Sequence, residues 1–276
     1  MKKIKIKDFT IGGDFLTFIC GPCVIESREH TIKCAKELKE IFSPFDFNFI
    51  FKASFDKANR SSIQSYRGPG PEKGLDILND VKQKLDIPVT SDIHLPEHAL
   101  KAKEVLDIIQ IPAFLCRQTD ILLAAGQTFL PVNVKKGQFM SPWEMKNVVD
   151  KILSTGNDQI ILTDRGSCFG YNNLVSDFRA IPVMQSFSCP VCFDASHSTQ
   201  LPGGNTSYSS GQKEFIPYLA KASVAVGANA LFIECHPDPK NAKSDSATVM
   251  EFSKLKNLLQ EIQLIYNAVK KQPTLC

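Results

Sequence analysis

The sequence lacks the features that mark membrane, secreted and nucleic-acid-binding proteins. Its 276 residues contain no run of 18 apolar residues, so it offers no candidate for a transmembrane helix. The basic start, residues 1–9, is not followed by the apolar segment of a signal peptide. The net charge is only +3, which is too small to indicate nucleic acid by itself. These absences predict a cytoplasmic protein without membrane or nucleic-acid partners.

A disulfide scaffold and internal repeats are also missing. Nine cysteines in a chain of this length do not form the dense framework of a small secreted domain, and cytosolic thiols stay reduced. No second cysteine pair follows Cys189 and Cys192 at the spacing of a zinc site, and the two cysteines lie where an apolar strand begins. Two core thiols are therefore favoured over a redox pair. No linker divides the chain.

Short apolar runs alternate with helical periodicity along the whole sequence. The predicted strands are residues 15–20, 47–52, 88–90, 108–111, 131–134, 159–162, 191–193 and 230–233. The predicted helical segments are residues 28–42, 72–85, 96–105, 119–125, 142–153, 172–187, 213–226 and 251–270, of which 172–187 is the least regular. Continuously apolar strands indicate burial on both faces, as in a parallel sheet. This order predicts a single α/β domain over residues 1–276, a TIM (β/α)8 barrel with a short N-terminal β-hairpin at 1–13.

Reactive side chains stand where the predicted strands end, which is the barrel face that carries active sites. They are Cys23, Lys52, Asp92, Gln110, Lys135, Arg165, His197 and Glu234. The segment that follows the second strand adds Lys57, Asn59, Arg60 and Ser61. Arginine matches phosphate or carboxylate with a planar fork, whereas lysine acts as a point charge. We therefore expect an anion site, although a solvated basic loop would explain this one segment equally well.

Chemistry separates a basic subsite from a candidate metal site. The basic subsite comprises Lys52, Lys57, Arg60, Lys135, Arg165 and Arg117. So many cations exceed the need of one phosphate and predict more than one anionic group. The candidate metal site comprises Cys23, His197, Glu234 and Asp245.

A thiolate, an imidazole and carboxylates suit a divalent transition metal. The alternative is a buried Cys23 and a His197 that only caps its strand. Residues 205–213 are either a lid beside the site or an ordinary connection.

Several segments resemble the family of 3-deoxy-D-manno-octulosonate 8-phosphate (KDO8P) synthases. The matching stretches are 21–27 (GPCVIES), 51–62 (FKASFDKANRSS), 108–120, 133–139, 163–179, 194–204 and 233–239, with Ser244 and Asp245. FDKANRSS is especially specific, because the related DAHP synthases usually carry Lys-Pro-Arg-Thr in its place. The resemblance covers nearly the whole chain, and residues 205–213 are its weakest part near the site.

The resemblance implies an aldol-type condensation of phosphoenolpyruvate with D-arabinose 5-phosphate and water. The products are KDO8P and inorganic phosphate, in lipopolysaccharide synthesis. By resemblance, the phosphoenolpyruvate residues are Lys52, Lys57, Gln110, Lys135 and Arg165, the last two on its phosphate. Those for the sugar phosphate are Asn59, Arg60, Ser61 and Asp92. The catalytic residues carried over are Cys23, Lys57, His197 and Asp245.

The family also divides into a metal-dependent branch with Cys in the Gly-Pro-Cys motif and a metal-independent branch with Asn. Cys23 indicates the first branch, with Cys23, His197, Glu234 and Asp245 as ligands of zinc, iron, manganese or cobalt. A loop of the family that meets a neighbouring subunit implies a homotetramer. Two other hypotheses stay open: a DAHP or sialic acid synthase with the same phosphoenolpyruvate chemistry, and a catalytically silent phosphate-binding barrel.

Overall fold

The predicted barrel is confirmed. The computed structural model describes residues 1–60, 62–203 and 210–270. Its strands are β1 (Ile4–Ile6), β2 (Phe9–Ile11), β3 (Thr17–Gly21), β4 (Asn48–Lys52), β5 (Val89–Asp92), β6 (Ile108–Ile111), β7 (Val132–Lys135), β8 (Ile160–Asp164), β9 (Ser167–Gly170), β10 (Asn173–Val175), β11 (Val191–Asp194), β12 (Gln200–Leu201), β13 (Ser210–Gly211), β14 (Ala230–His236) and β15 (Met250–Glu251). The helices are α1 (Arg28–Phe42), α2 (Pro71–Leu85), α3 (His98–Lys103), α4 (Thr119–Gly126), α5 (Met145–Leu153), α6 (Ala180–Gln185), α7 (Ile216–Ala225) and α8 (Phe252–Lys270).

Eight parallel strands form the ring. Strands β3 to β8 pair in sequence order, β8 pairs with β11, and β11 pairs with β14. The ring closes where β14 pairs with β3, in a register that sets Ala230 opposite Thr17 and Glu234 opposite Gly21. Closure leaves no strand edge exposed in this sheet and gathers all eight carboxyl-terminal strand ends into one rim.

The N-terminal hairpin covers the opposite end of the barrel. Ile4, Ile6 and Ile11 share one buried cluster with Ile19 of β3 and Ile50 of β4. The backbone N–H of Lys2 donates to the carbonyl of Ser188, which lies just before β11. The hairpin therefore seals the amino-terminal mouth of the barrel with isoleucine side chains.

Strand alternation decides which side chains enter the barrel. Ile50 of β4 faces the interior, whereas Phe49 and Phe51 pack outward against the surrounding helices. Since successive strand side chains point to opposite faces, Lys52 follows Ile50 inward at the rim. The same step of two leads from Phe232 to Glu234. The alternation of side chains along the strands therefore places polar residues at the rim of a barrel whose interior is apolar.

The structure departs from the sequence-based boundaries in a few places. The sequence predicted an irregular helical stretch over residues 172–187. Residues 167–175 instead contain the antiparallel hairpin β9–β10, and the helix that follows covers only Ala180–Gln185. The sequence period could not reveal this hairpin because β9 is largely exposed. Helix α3 is shorter than predicted, and α5 begins at Met145 rather than at residue 142.

Two further expectations concern the lid and the membrane. Residues 205–209 of the candidate lid lie outside the described residues. On either side of that gap, Ser210–Gly211 pairs antiparallel with Gln200–Leu201. Of the helices that the structure describes, none is long and apolar enough to cross a membrane.

Candidate active site

The carboxyl-terminal ends of the barrel strands surround a cavity of about 490 Å³. The residues singled out from the sequence that line it are Lys52, Lys57, Asn59, Arg60, Asp92, Lys135, Arg165, His197, Glu234 and Asp245. Cys23 and Gln110 are buried next to this lining. Ser61 lies outside the described residues. Segments far apart in sequence therefore meet in one cavity, as the barrel prediction requires.

The assignment of Arg117 to the basic subsite is wrong. Arg117 is exposed and does not line the cavity. It follows the 3-10 turn after β6, and its carbonyl accepts a hydrogen bond from Lys151 of α5, 3.0 Å away. Its position after a strand end suggested the cavity, but the turn carries it to the outer ring of helices.

Gly21 allows β3 and β4 to approach closely at the rim. A Cβ atom on Gly21 would lie 1.9 Å from the carbonyl oxygen of Lys52, far inside van der Waals contact. This close approach brings Nζ of Lys52 within 3.1 Å of the carbonyl oxygen of Cys23, to which it donates a hydrogen bond. The Gly-Pro-Cys segment and the basic segment after β4 are thus joined through backbone contacts.

A buried ion pair forms the floor of the cavity. Nζ of Lys52 donates to Oε1 of Glu234 at 2.5 Å and lies 3.9 Å from Oδ2 of Asp92. Lys52 is 1 % exposed and Glu234 is fully buried. Burial opposes ionisation of Glu234, but Lys52, His197 and Lys57 lower its pKa to about 2. Glu234 is therefore a carboxylate at neutral pH.

Lys57 lies above this floor. Its Nζ atom is 3.8 Å from Oε1 of Glu234. Burial disfavours its charge, yet the carboxylates of Glu234, Asp92 and Asp245 together raise the pKa of Lys57 above its ordinary value. Lys57 is therefore a cation that faces the cavity.

The four candidate metal ligands converge on one side of the cavity. The donor atoms of Cys23, Glu234 and Asp245 lie within 4.8 Å of one another. Nε2 of His197 is 3.4 Å from Oε2 of Glu234 and 3.8 Å from Oδ2 of Asp245. Sγ of Cys23 donates to Oδ2 of Asp245 at 3.2 Å. Residues separated by more than 200 positions thus bring a sulfur, a nitrogen and carboxylate oxygens together.

This cluster fits a divalent transition metal. Oε2 of Glu234 is buried and has no hydrogen-bond partner among the described residues, which is costly for a carboxylate oxygen. Burial, followed by Asp245 and Glu234, raises the pKa of the Cys23 thiol above its ordinary value. A cation among these atoms would satisfy the carboxylates and take the place of the thiol proton.

Asp194 is a site residue that the sequence-based search missed. It is fully buried, and its Oδ2 atom lies 2.7 Å from both Nδ1 of His197 and Nζ of Lys135. Its Oδ1 atom accepts the backbone N–H of His197 at 2.9 Å. These contacts orient the imidazole so that Nε2 faces the candidate ligands. The sequence feature that could have identified Asp194 is its position at the end of β11.

Two arginines keep N–H groups available to a ligand. Nη2 of Arg165 donates to the carbonyl of His197 at 3.3 Å and to the side chain of Gln200. Nη1 of Arg165 has no hydrogen-bond partner among the described residues, and neither has Nη2 of Arg60. Nη1 of Arg60 lies 3.4 Å from Oδ1 of Asp245. Buried guanidinium groups with unpaired N–H suit phosphate or carboxylate ligands.

A hydrogen-bonded row lies below Asp92. Nε2 of Gln110 donates to Oδ1 of Asp92 at 2.7 Å, and Oε1 of Gln110 accepts from Asn133 at 3.0 Å. Burial opposes the charge of Asp92, but Lys52 and Lys57 lower its pKa below the ordinary value. Gln110 therefore acts on the cavity indirectly, by holding Asp92 in place.

The fold and this cavity define a (β/α)8 barrel protein whose site suits anionic ligands beside a candidate metal centre. The model of the DAHP synthetase I family matches residues 1–271. The chain therefore belongs to the DAHP synthetase I family.

Curated relatives cover almost the whole chain. It is 54% identical over 273 residues to the 2-dehydro-3-deoxyphosphooctonate aldolase of Protochlamydia amoebophila, with 99% of each chain covered. It is 53% identical over 270 residues to the protein of the same name from Geobacter sulfurreducens, with 98% of this chain and 99% of the relative covered. For the Legionella pneumophila protein of that name, identity is 52% over 259 residues, with 94% of each chain covered.

Proposed function

We propose that this chain is an enzyme that condenses phosphoenolpyruvate with D-arabinose 5-phosphate and water. The products are KDO8P and inorganic phosphate. The name 2-dehydro-3-deoxyphosphooctonate aldolase, carried by relatives 51–54% identical to this chain, denotes the KDO8P synthase activity. The observation that carries the proposal is the pair of arginines, Arg165 and Arg60. Each has an N–H group without a hydrogen-bond partner among the described residues, and the two come from different segments of one cavity. Two phosphorylated substrates need two such groups.

Phosphoenolpyruvate binds, in this proposal, next to β7 and β8. Lys135 and Arg165 hold its phosphate, and Lys52 and Lys57 lie near its carboxylate and reacting carbons. Two contacts hold the Lys135 ammonium in position for this role. Its Nζ atom lies 3.5 Å from the centre of the Phe232 ring and 2.7 Å from Oδ2 of Asp194. Cations that are already oriented stabilise charge in the transition state without reorganisation.

The sugar phosphate binds next to the segment that follows β4. Arg60 and Asn59 line the cavity there, and Ser61 completes the proposed group although it lies outside the described residues. Asp92 lies near the sugar, held by Gln110 and by the hydroxyl of Ser54, which donates to it at 2.5 Å. In this proposal, the aldehyde end of the sugar faces the Lys52–Glu234 pair.

The reaction forms a bond between C3 of phosphoenolpyruvate and the aldehyde carbon while water adds at C2. The aldehyde oxygen takes up a proton, and the bond from C2 to the phosphate oxygen breaks to release inorganic phosphate. Nζ of Lys57 lies 3.8 Å from Oε1 of Glu234, and Lys57 stabilises the charge that develops on the reacting groups. Asp194 accepts the hydrogen bond from Nδ1 of His197, so Nε2 of that ring is directed to the reacting end of the cavity.

We further propose that Cys23, His197, Glu234 and Asp245 hold a divalent metal. The support is their convergence and the Oε2 atom of Glu234, which has no hydrogen-bond partner in the part of the chain that the structure describes. When bound, such a metal supplies a Lewis acid that orients the aldehyde oxygen or lowers the pKa of a water molecule. Zinc, iron, manganese and cobalt all suit this donor set.

Phosphate release from phosphoenolpyruvate tests the function directly. We expect release with arabinose 5-phosphate, its loss after chelation, and its return when a divalent metal is added back. Release that ignores the chelator, with no metal by elemental analysis, would keep the synthase and refute the metal site. Release only with erythrose 4-phosphate or N-acetylmannosamine would support a DAHP or sialic acid synthase. If no sugar leads to release, the result would support a catalytically silent barrel.

Arg60→Ala is expected to raise the KM for arabinose 5-phosphate about 10–100-fold and to change the KM for phosphoenolpyruvate little. The reason is the loss of a charge-assisted hydrogen bond, worth about 1.5–3 kcal/mol, to the sugar phosphate. Steady-state kinetics with each substrate varied in turn measure both constants. Arg67→Ala is the matched control, because the exposed Arg67 pairs with Asp56 and neither residue lines the cavity. Equal effects of Arg60→Ala on both constants would remove Arg60 from this role.

A homotetramer and a cytoplasmic location stay predictions. Large exposed aromatic side chains support the first, since Phe139 and Trp143 follow β7, and Phe169 and Tyr171 belong to the β9–β10 hairpin. Exposed apolar side chains that cluster at one end of a fold are typical of subunit interfaces. Sedimentation of the protein as a monomer at micromolar concentration would contradict the tetramer.

A further inference from the structure

A second cluster of potential ligands comes from segments next to those that carry the candidate metal ligands. One donor atom each from Glu26, His30 and His236 lies within 4.8 Å of the other two. His236 is 4% exposed, and the rings of His30 and His236 lie 4.8 Å apart between centres. A carboxylate with two imidazoles is also a common metal-binding set, so its hydrogen bonds decide what it does.

The tautomer of His236 argues against a cation here. The backbone N–H of Asp238 donates to Nδ1 of His236 at 3.0 Å. A backbone N–H is always a donor, so Nδ1 carries no proton and the ring proton is on Nε2. A metal on Nε2 would need the lone pair that this proton occupies. The imidazole therefore presents an N–H group to Glu26.

One carboxylate oxygen of Glu26 joins three segments of the site. Oε1 of Glu26 accepts the backbone N–H of Lys243 at 3.0 Å and lies 3.3 Å from Nε2 of His236. Nε2 of His236 has no hydrogen-bond partner among the described residues, so its 3.3 Å approach to Glu26 is a close polar contact and not an aligned hydrogen bond. Glu26 stands three residues after Cys23, His236 two after Glu234, and Lys243 two before Asp245.

The segment that carries Asp245 needs such an anchor. Asp245 has φ +48°, in the left-handed region that side chains other than glycine adopt at a cost. Such a conformation persists only where the surrounding structure holds it. The segment between β14 and β15 is anchored at Asp238 through His236 and at Lys243 through Glu26.

We propose that Glu26 and His236 are positioning residues that set the separation of Cys23, Glu234 and Asp245. They touch neither substrate nor metal. They act through the backbone of residues 238–243, which they bind at both ends. The inference rests on the proposed metal site, and it makes the Glu26 carboxylate a determinant of metal affinity.

Glu26→Ala and Glu26→Gln test this assignment together. Glu26→Ala is expected to weaken Zn²⁺ binding about 10–100-fold, as loss of an outer partner of a metal site does. Glu26→Gln keeps an oxygen that accepts the backbone N–H of Lys243, and it is expected to bind Zn²⁺ nearly as the wild type does. Competition with a chromophoric chelator measures the affinity. His236→Phe removes the imidazole donor and acceptor while keeping a ring, and it should resemble Glu26→Ala.

Amide hydrogen exchange of the metal-free protein provides an independent measurement. The Lys243 amide should exchange faster in Glu26→Ala than in wild type or Glu26→Gln, with unchanged protection in the barrel strands. Unaltered Zn²⁺ affinity and exchange in Glu26→Ala would overturn the proposal. So would loss of one bound Zn²⁺ in His30→Ala, since that result would make the cluster a metal site. If the wild type binds no Zn²⁺, the proposed metal site fails, and the exchange of Lys243 alone decides the positioning role.

Discussion

Cys23→Ser is expected to abolish metal retention and to remove most of the phosphate-releasing activity. The thiolate is a soft ligand for transition metals, whereas a serine hydroxyl binds them poorly and keeps its proton at neutral pH. Sγ of Cys23 is one of the donor atoms that converge, together with carboxylate oxygens of Glu234 and Asp245. We expect a loss larger than the roughly 10–100-fold that removal of an outer partner costs. Elemental analysis and the phosphate-release assay measure the two effects.

Cys168→Ser is the control for this variant. Cys168 is an exposed free cysteine on β9, and its Sγ atom donates to the carbonyl of Gly170 outside the cavity lining. The control should keep metal and activity. Wild-type activity of Cys23→Ser without bound metal would refute the metal proposal and leave the condensation reaction in place.

Lys52→Met is expected to lower the free energy of unfolding by about 3–5 kcal/mol, because it leaves buried carboxylates without their cation. Lys52 is paired with Glu234 at 2.5 Å and lies 3.9 Å from Asp92. Methionine fits the apolar stem of lysine, so the packing changes little and the lost charge dominates. The pKa of Glu234 should rise from about 2, since the largest opposing effect, burial, is then less compensated. Urea denaturation measures the free energy.

The contrast with a surface pair shows whether burial causes the effect. Lys101 pairs with Glu72 at 2.9 Å, and both side chains are more than half exposed. Exposed pairs contribute roughly 0–1 kcal/mol, so Lys101→Met should leave stability nearly unchanged. Similar small losses for the two variants would contradict the view that the Lys52–Glu234 pair is a buried charge pair.

Local sequence patterns predicted most of the barrel. Helix α1 begins and ends where the periodicity indicated, with Ser27 accepting the backbone N–H of His30 at its start. Strand β6 matches its predicted bounds as well. The hairpin β9–β10 was missed because its exposed strands lack an apolar alternation. Arg117 was misplaced because a strand end does not reveal which way the next turn leads.

The sequence by itself determined the type and order of the barrel strands and of most of their helices, and therefore which side chains reach the rim. A step of two residues from Ile50 to Lys52, or from Phe232 to Glu234, follows from strand geometry alone. Only the tertiary structure decided which rim residues meet. It brought Cys23 within 3.2 Å of Asp245, and it set one oxygen of Glu26 against both His236 and Lys243. These contacts depend on ring closure, which no local pattern encodes, because closure joins strands whose residues are more than 200 positions apart.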